Sequence, residues 1–171
     1  MNADLHSLLA KGVHWDDLAP GVSADPLRDW GDLPLHVSVF DHSLSAEEAS
    51  AIPYMFFRQA ADAGALREYL EGERRFEAFY AELAEKGGHV QLGWRRRHFM
   101  PATSGRLRRI VRDSLRERRL MDVVFEAAPV RVLGGHDRTD VLLPATQAAK
   151  EALTAAVLRH GLFVLPYRSA P

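Results

Sequence analysis

The sequence predicts an α+β fold, in which one mixed sheet of about five to six strands carries its helices mainly on one face. Three observations lead to this prediction. Short segments alternate apolar and polar residues, as half-buried strands do. Amphipathic segments with capping residues lie between them. The chain closes with a strand–helix–strand pattern, which favours a right-handed parallel crossover.

The domain organisation follows from the 171-residue length and from the position of the turn-forming residues. Residues 1–34 contain several Pro and Gly turn signals and few periodic segments, so we expect an N-terminal arm. Trp15 and Trp30 are predicted to hold this arm against the body, because an indole buries a large area. No linker composition interrupts residues 35–171, which are expected to form a single α+β domain.

The first half of that domain begins with an alternating strand at residues 35–40. Ser45 and Glu48 have the spacing of a capping box, which predicts the start of a helix. A further helix is expected over residues 73–86, since its aromatic residues recur on one side. Residues 89–99 are predicted as one strand, whose alternation brings arginine and histidine onto the apolar face at its end.

In the second half, Ser104-Gly105 is expected to open a helix that extends to about Arg119. Thr146 is expected to cap the last helix, which runs to His160, with Ala149, Ala152, Leu153, Ala156 and Val157 on its buried face. The predicted strands lie at residues 121–126, 130–133, 140–143 and 162–165.

Composition excludes several classes of protein. The chain has no cysteine, so disulfide scaffolds, thiolate zinc fingers, iron–sulfur sites and cysteine nucleophiles are ruled out. No apolar run approaches the roughly 18 residues of a membrane span. The N-terminus does not show the pattern of a signal peptide, and we expect a cytoplasmic protein with no membrane partner. The 19 arginines against 3 lysines are typical of GC-rich bacterial genes.

The charge is distributed unevenly, although the net charge is only −1. Residues 1–94 hold 16 acids and 7 bases, a net charge of −9. Residues 95–119 hold 10 arginines and 2 acids, a net charge of +8. Residues 120–171 are balanced, with 5 of each. Such asymmetry indicates an anionic partner, either within the chain or outside it.

Five arginines of the predicted helix after Ser104 fall on a stripe opposite its apolar face: Arg108, Arg109, Arg112, Arg116 and Arg119. Arginine suits phosphate because its planar fork meets two oxygens at once. The preferred interpretation is therefore a non-enzymatic bacterial accessory or regulatory protein that binds nucleic acid or an acidic protein, with no cofactor. The candidate anion-binding residues are Arg95, Arg97, Ser104, Arg106, Arg108, Arg109, Arg112, Arg116 and Arg119.

Two other interpretations of the arginine stripe remain open. Its arginines could pair with the acidic first half of the same chain and form an ordinary solvated face. Alternatively, they could meet the acidic half of a second copy, which would make the protein a homodimer that associates through opposite charges.

The segment from Gly134 to Asp140 contains the residues of an alternative, enzymatic interpretation. His136 could act as a general base oriented by Asp137 or Asp140, with Arg138 holding a phosphorylated or carboxylated substrate. The same segment is also typical of a glycine-permitted hairpin turn. The histidines lack the spacing of a metal site, His36 and His42 being about 20 Å apart in an extended chain. No Walker-A, G-x-G-x-x-G or G-x-S-x-G motif is present.

Overall fold

This computed structural model describes residues 33–92 and 96–166, with residues 96 and 97 described by their backbone alone. Most of the predicted arm, including Trp15 and Trp30, therefore lies outside the described residues. Within the described part, the strands are β1 (Leu35–Ser38), β2 (Gly88–Leu92), β3 (Arg96–Met100), β4 (Asp122–Phe125), β5 (Val130–Leu133), β6 (Thr139–Pro144) and β7 (Phe163–Leu165).

Five α-helices accompany these strands in the described part of the chain. They are α1 (Ala46–Ala51), α2 (Phe57–Asp62), α3 (Leu66–Leu83), α4 (Gly105–Leu115) and α5 (Gln147–Arg159). A 3-10 turn at Ala84–Lys86 continues α3. The predicted capping box at α1 is confirmed, since the Ser45 hydroxyl accepts from the Glu48 N–H and the Glu48 carboxylate accepts from the Ser45 N–H.

The predicted α+β fold with one sheet is confirmed. The sheet has seven strands in the order β3-β2-β4-β5-β6-β1-β7, slightly more than expected. It is antiparallel at every pairing and not mixed. The reason lies in the position of β1. Strands β6 and β7 run in the same direction, as a crossover through α5 requires, but β1 fills the place between them and pairs antiparallel with both.

The predicted single strand over residues 89–99 is wrong, because this segment contains two strands, β2 and β3, that pair antiparallel. Leu92 lies opposite Arg96, and Val90 lies opposite His98. The even-numbered residues of β2 and β3 share one face of the sheet, as they would in a single continuous strand. The alternating pattern is therefore the same for both arrangements and cannot distinguish them. His89 and His98 lie on neighbouring strands rather than at two ends of one.

The core lies between one face of the sheet and helices α3, α4 and α5. Phe76, Phe79 and Tyr80 of α3 are buried there. Leu107 of α4 and Leu153 of α5 join the same cluster. The sheet contributes apolar residues from alternate positions, as expected for one buried face: Leu35, Val37, Val90, Val123, Phe125, Val130, Val132 and Leu142.

Helix α3 begins seven residues before the predicted start at Glu73, and Gly72 lies in its interior. A Cβ atom at Gly72 would lie 2.0 Å from Nη2 of Arg138. The absence of a side chain at Gly72 therefore permits the close approach of this arginine to α3. Helix α4 ends at Leu115, earlier than the predicted Arg119.

Helix α5 confirms the predicted Thr146 cap, whose hydroxyl accepts from the Ala149 N–H at 3.1 Å. Ala149, Leu153, Ala156 and Val157 are buried, as predicted. Ala152 is exposed, so the prediction that it lies on the buried face is wrong. The buried face of α5 is narrower than the helical spacing of its apolar residues suggested. Among the described residues, no helix has both the length and the hydropathy to cross a bilayer.

Candidate anion-binding site

Helix α4 presents the predicted arginine stripe because Leu107 and Val111 anchor its other side in the core. The hydroxyl of Ser104 accepts from the Leu107 N–H at 3.4 Å and so caps the helix. The Ser104 oxygen therefore accepts within the helix cap, and this bond does not use the O–H hydrogen that an anion would accept. Arg95 and the side chain of Arg97 lie outside the described residues.

Two arginines of the stripe are paired with carboxylates of α3. Arg116 donates from Nε and Nη2 to the two carboxylate oxygens of Glu73, both at 2.7 Å. Glu73 is only 5% exposed, and its hydrogen bonds raise the pKa of Arg116. Arg112 donates from Nε to Glu77 at 2.7 Å. The acidic first half of the chain thus neutralises this part of the stripe, which is one of the alternatives that the sequence left open.

The remaining arginines of the stripe are Arg108, Arg109 and Arg119. Together with Arg106, at the start of α4, they form what we call the open-arginine patch. All four are exposed. In the described part of the chain, none of them has a carboxylate within 4.0 Å or donates a side-chain hydrogen bond. The patch therefore retains four cationic charges that no described acid neutralises by contact.

The open-arginine patch borders two cavities. Arg106, Arg109 and Arg119 line a cavity of about 400 Å³ between α4 and the β2–β4 part of the sheet. Arg108 lines a groove of about 520 Å³ between α3 and α4, together with Arg112 and Glu77. The sequence placed Arg108, Arg109 and Arg119 on one stripe. Only the packing of α4 against the sheet and α3 divides them between two cavities.

The loop predicted to be catalytic lies at the start of β6, and its residues face different environments. His136 and Asp137 line a surface cavity of about 570 Å³. Arg138 turns inward, where it stacks at 4.6 Å on Tyr69 and donates to the Tyr69 carbonyl at 2.9 Å. Burial lowers the pKa of Arg138. This arginine is therefore occupied by protein groups and does not face the same cavity as His136.

Asp140 also lies inside the protein rather than beside His136. Its carboxylate accepts from the Tyr80 hydroxyl at 2.5 Å and from the Gly135 N–H at 2.8 Å. Burial raises the pKa of Asp140 to about 6. Tyr80 and Asp140 thus form a buried polar pair of the core.

Glu117, which sequence reasoning did not select, is the carboxylate that contacts His136. Its two oxygens lie 3.1 Å from His136 Nδ1 and 3.1 Å from the backbone nitrogen of Asp137, which donates to it. Glu117, Asp137 and Arg138 are also the non-glycine residues with positive φ in the described chain. No sequence signal connects Glu117 with a loop 19 residues away.

The cavity that contains His136 also contains His36 and His42, which the sequence separated. His42 lies between Asp41 at 2.7 Å and Glu48 at 3.3 Å, and these hydrogen bonds raise its pKa. The position of β1 beside β6 brings the segments together. Within the described residues, no group of three or more potential ligands is placed to hold a metal ion.

The chain was compared with protein families, curated proteins and solved structures. No protein-family model, curated protein or solved structure matches the chain.

Proposed function

We propose that the protein is a binding module for a polyanion, with nucleic acid as the partner, and that the open-arginine patch is its contact surface. The single observation that carries the proposal is the division of the stripe. Arg112 and Arg116 have carboxylate partners, whereas the four arginines of the patch have none in the described part of the chain. A cation with no internal partner is available to an external anion.

Guanidinium groups favour phosphate among the anions that such a surface could meet. Each guanidinium can donate to two phosphate oxygens, and arginine is more weakly hydrated than lysine. Phosphates repeat along a nucleic acid backbone, so several arginines of one helix can each meet one. An acidic protein is the other candidate partner, and the experiment below separates the two.

Fluorescence anisotropy with labelled single-stranded RNA, single-stranded DNA and duplex DNA tests the proposal. Four phosphate contacts predict that log K on duplex falls against log salt with a slope of roughly −3 to −4. Arg109→Gln is expected to reduce that slope by about one. Arg112→Gln is the matched control, since Glu77 already neutralises this arginine, and its slope is expected to change less.

The result that overturns nucleic-acid binding is the absence of measurable binding to all three probes at low salt, about 50 mM. Binding of an acidic polypeptide at the same patch, without binding of nucleic acid, would instead assign the patch to an acidic protein. Sedimentation at low and high salt tests the homodimer: a salt-sensitive dimer would assign the patch to a second copy of this chain.

A second candidate function, that of a small enzyme acting on a phosphorylated or carboxylated substrate, is favoured by the contact between Glu117 and His136. A carboxylate at Nδ1 fixes the imidazole so that Nε2 can act as a general base, and His136 Nε2 has no hydrogen-bond partner within the described chain. Strained backbone, as at Glu117 and Asp137, is concentrated at functional sites in proteins.

The test of this second function is a screen of phosphomonoesters and carboxylic esters with the wild-type protein and His136→Gln. Activity that His136→Gln abolishes and that Glu117→Gln lowers would support it. Wild-type rates equal to those of His136→Gln on every substrate of the screen would contradict this second function. Because His136 lies outside the open-arginine patch, this outcome is independent of the polyanion test.

A further inference from the structure

The cavity of about 400 Å³ beside α4 combines two chemical properties that a simple polyanion surface does not need. Arg106, Arg109 and Arg119 line it on one side, and an apolar wall lines it on the other. We propose that this cavity is a nucleoside-phosphate site, which binds phosphate with its arginines and a base against its apolar wall. The inference rests on the proposed function and specifies the ligand class of the same patch.

The arginines of the cavity are free to bind phosphate. All three are exposed, and none has a carboxylate partner among the described residues. Arg106 and Arg109 lie three residues apart on α4, so their side chains emerge on neighbouring positions of one face. Arg119 approaches from the segment after the helix. Three guanidinium groups around one cavity match the oxygens of a phosphate or diphosphate.

The apolar wall comes from the sheet, the helix and the segment after it. Leu120 is 40% exposed, although a large apolar side chain gains free energy from burial. Packing a planar base against such a wall removes apolar area from water on both surfaces. The apolar residues that line the cavity are Val90, Leu92, Ile110, Leu120 and Met121.

Asp113 supplies one hydrogen-bond acceptor in the cavity. Its Oδ1 lies 3.4 Å from Arg118, whereas its Oδ2 has no hydrogen-bond partner in the described part of the chain. Asp122 also lines the cavity, but both its oxygens accept from Arg131. A ribose hydroxyl or a base amino group donates to a carboxylate oxygen such as Oδ2. A plain polyphosphate offers no such donor.

The size of the cavity fits this ligand class. Pockets for small ligands and cofactors occupy about 300–1,000 Å³, and the cavity of about 400 Å³ lies near the lower end of that range. It therefore accommodates one nucleotide unit rather than a longer segment. That unit could be a free nucleotide or one residue of a single strand, because the same phosphate, sugar and base are present in both.

The test measures the binding of ATP, AMP and a short oligoadenylate by isothermal titration calorimetry, with pyrophosphate as the ligand that lacks a base. Heparin serves as a polyanion without nucleobases. We expect ATP to bind more tightly than pyrophosphate. Similar affinities for ATP and the oligonucleotide would identify a free nucleotide as the ligand. Oligonucleotide binding that is at least about tenfold tighter than ATP binding would identify a single strand as the ligand.

Variants separate the cavity from the rest of the patch. Leu120→Trp fills the apolar side and leaves every charge in place, so nucleotide affinity is expected to fall at least about tenfold while heparin affinity is retained. Arg109→Gln is expected to weaken nucleotide binding, whereas Arg108→Gln, its exposed neighbour outside this cavity, is the matched control. Gly105→Leu provides a second filling variant, since a Cβ there meets nothing within 4 Å.

Four results would overturn the inference. If pyrophosphate binds as tightly as ATP, the base does not contribute to binding. If Arg108→Gln and Arg109→Gln lower nucleotide affinity equally, the ligand does not bind in this cavity. Heparin binding without nucleotide binding would overturn the nucleoside-phosphate site while the polyanion surface stands. Failure of heparin, nucleotides and nucleic acids alike would overturn both proposals.

Discussion

The hydroxyl of Tyr80 donates to the carboxylate of Asp140 across 2.5 Å in the core of the protein. Asp140 is 4% exposed, and its nearest other donor is the N–H of Gly135. The pair joins α3 to β6, so its protonation state affects the packing of the main helix on the sheet.

Protonation of Asp140 is expected to change the stability of the protein between about pH 4 and pH 6. Burial raises its pKa from 3.8 to about 6 in the folded state, so the folded state binds the proton more tightly. Its contribution is fully present below pH 3.8 and is lost as the pH rises through about 6. The loss amounts to roughly 3 kcal/mol. Urea unfolding of wild-type protein and Asp140→Asn across this range measures it. Parallel pH profiles of the two proteins would contradict the assignment.

Gly72→Ala is expected to destabilise the protein by about 1–3 kcal/mol through steric overlap. The added Cβ would lie 2.0 Å from Nη2 of Arg138, a group held by the Tyr69 carbonyl and ring. This overlap outweighs the gain of about 1 kcal/mol from alanine in a helix. Chemical denaturation measures the change. Gly105→Ala is the control, because its Cβ meets nothing within 4 Å, and it is expected to lose no stability. Equal effects of the two substitutions would show that Arg138 does not pack against α3.

Arg116→Gln is expected to cost more stability than Arg112→Gln, although both remove one charge from the arginine stripe. Loss of Arg116 leaves the 5% exposed carboxylate of Glu73 without its partner, at a cost of roughly 2–4 kcal/mol. Arg112 is 51% exposed, and its pair with Glu77 contributes less than about 1 kcal/mol. Denaturant midpoints of the two variants decide the order. Adding Glu73→Gln to Arg116→Gln should restore part of the loss, and no recovery would contradict the buried-charge explanation.

Leu153→Ala is expected to lower the free energy of unfolding by about 2–5 kcal/mol, because the side chain is 1% exposed and its loss leaves a cavity. Ala152→Leu, on the exposed side of the same helix, is expected to change it by less than about 0.5 kcal/mol. Thermal and urea unfolding of both variants measures the difference. The reverse order would mean that α5 is rotated about its axis.

Much of the local structure could be predicted from the sequence. Ser45, Ser104 and Thr146 begin their helices as predicted, because a cap depends on residues only three positions apart. The meander of β4, β5 and β6 also follows from short connections and alternation. The arginine stripe of α4 is a property of helical spacing, and its anchoring residues are buried as expected.

The sequence by itself thus determined the fold class, the helix caps and the charge carried by α4, because these depend on composition and near neighbours. Tertiary structure decided that β1 lies between β6 and β7, and that β2 and β3 pair antiparallel. It also decided which arginines are neutralised: Glu73 and Arg116 lie 43 positions apart in the chain and meet only because α3 packs on α4. The physical reason is that such pairings depend on which helix faces and strand edges meet, and periodicity along one segment carries no information about its partner.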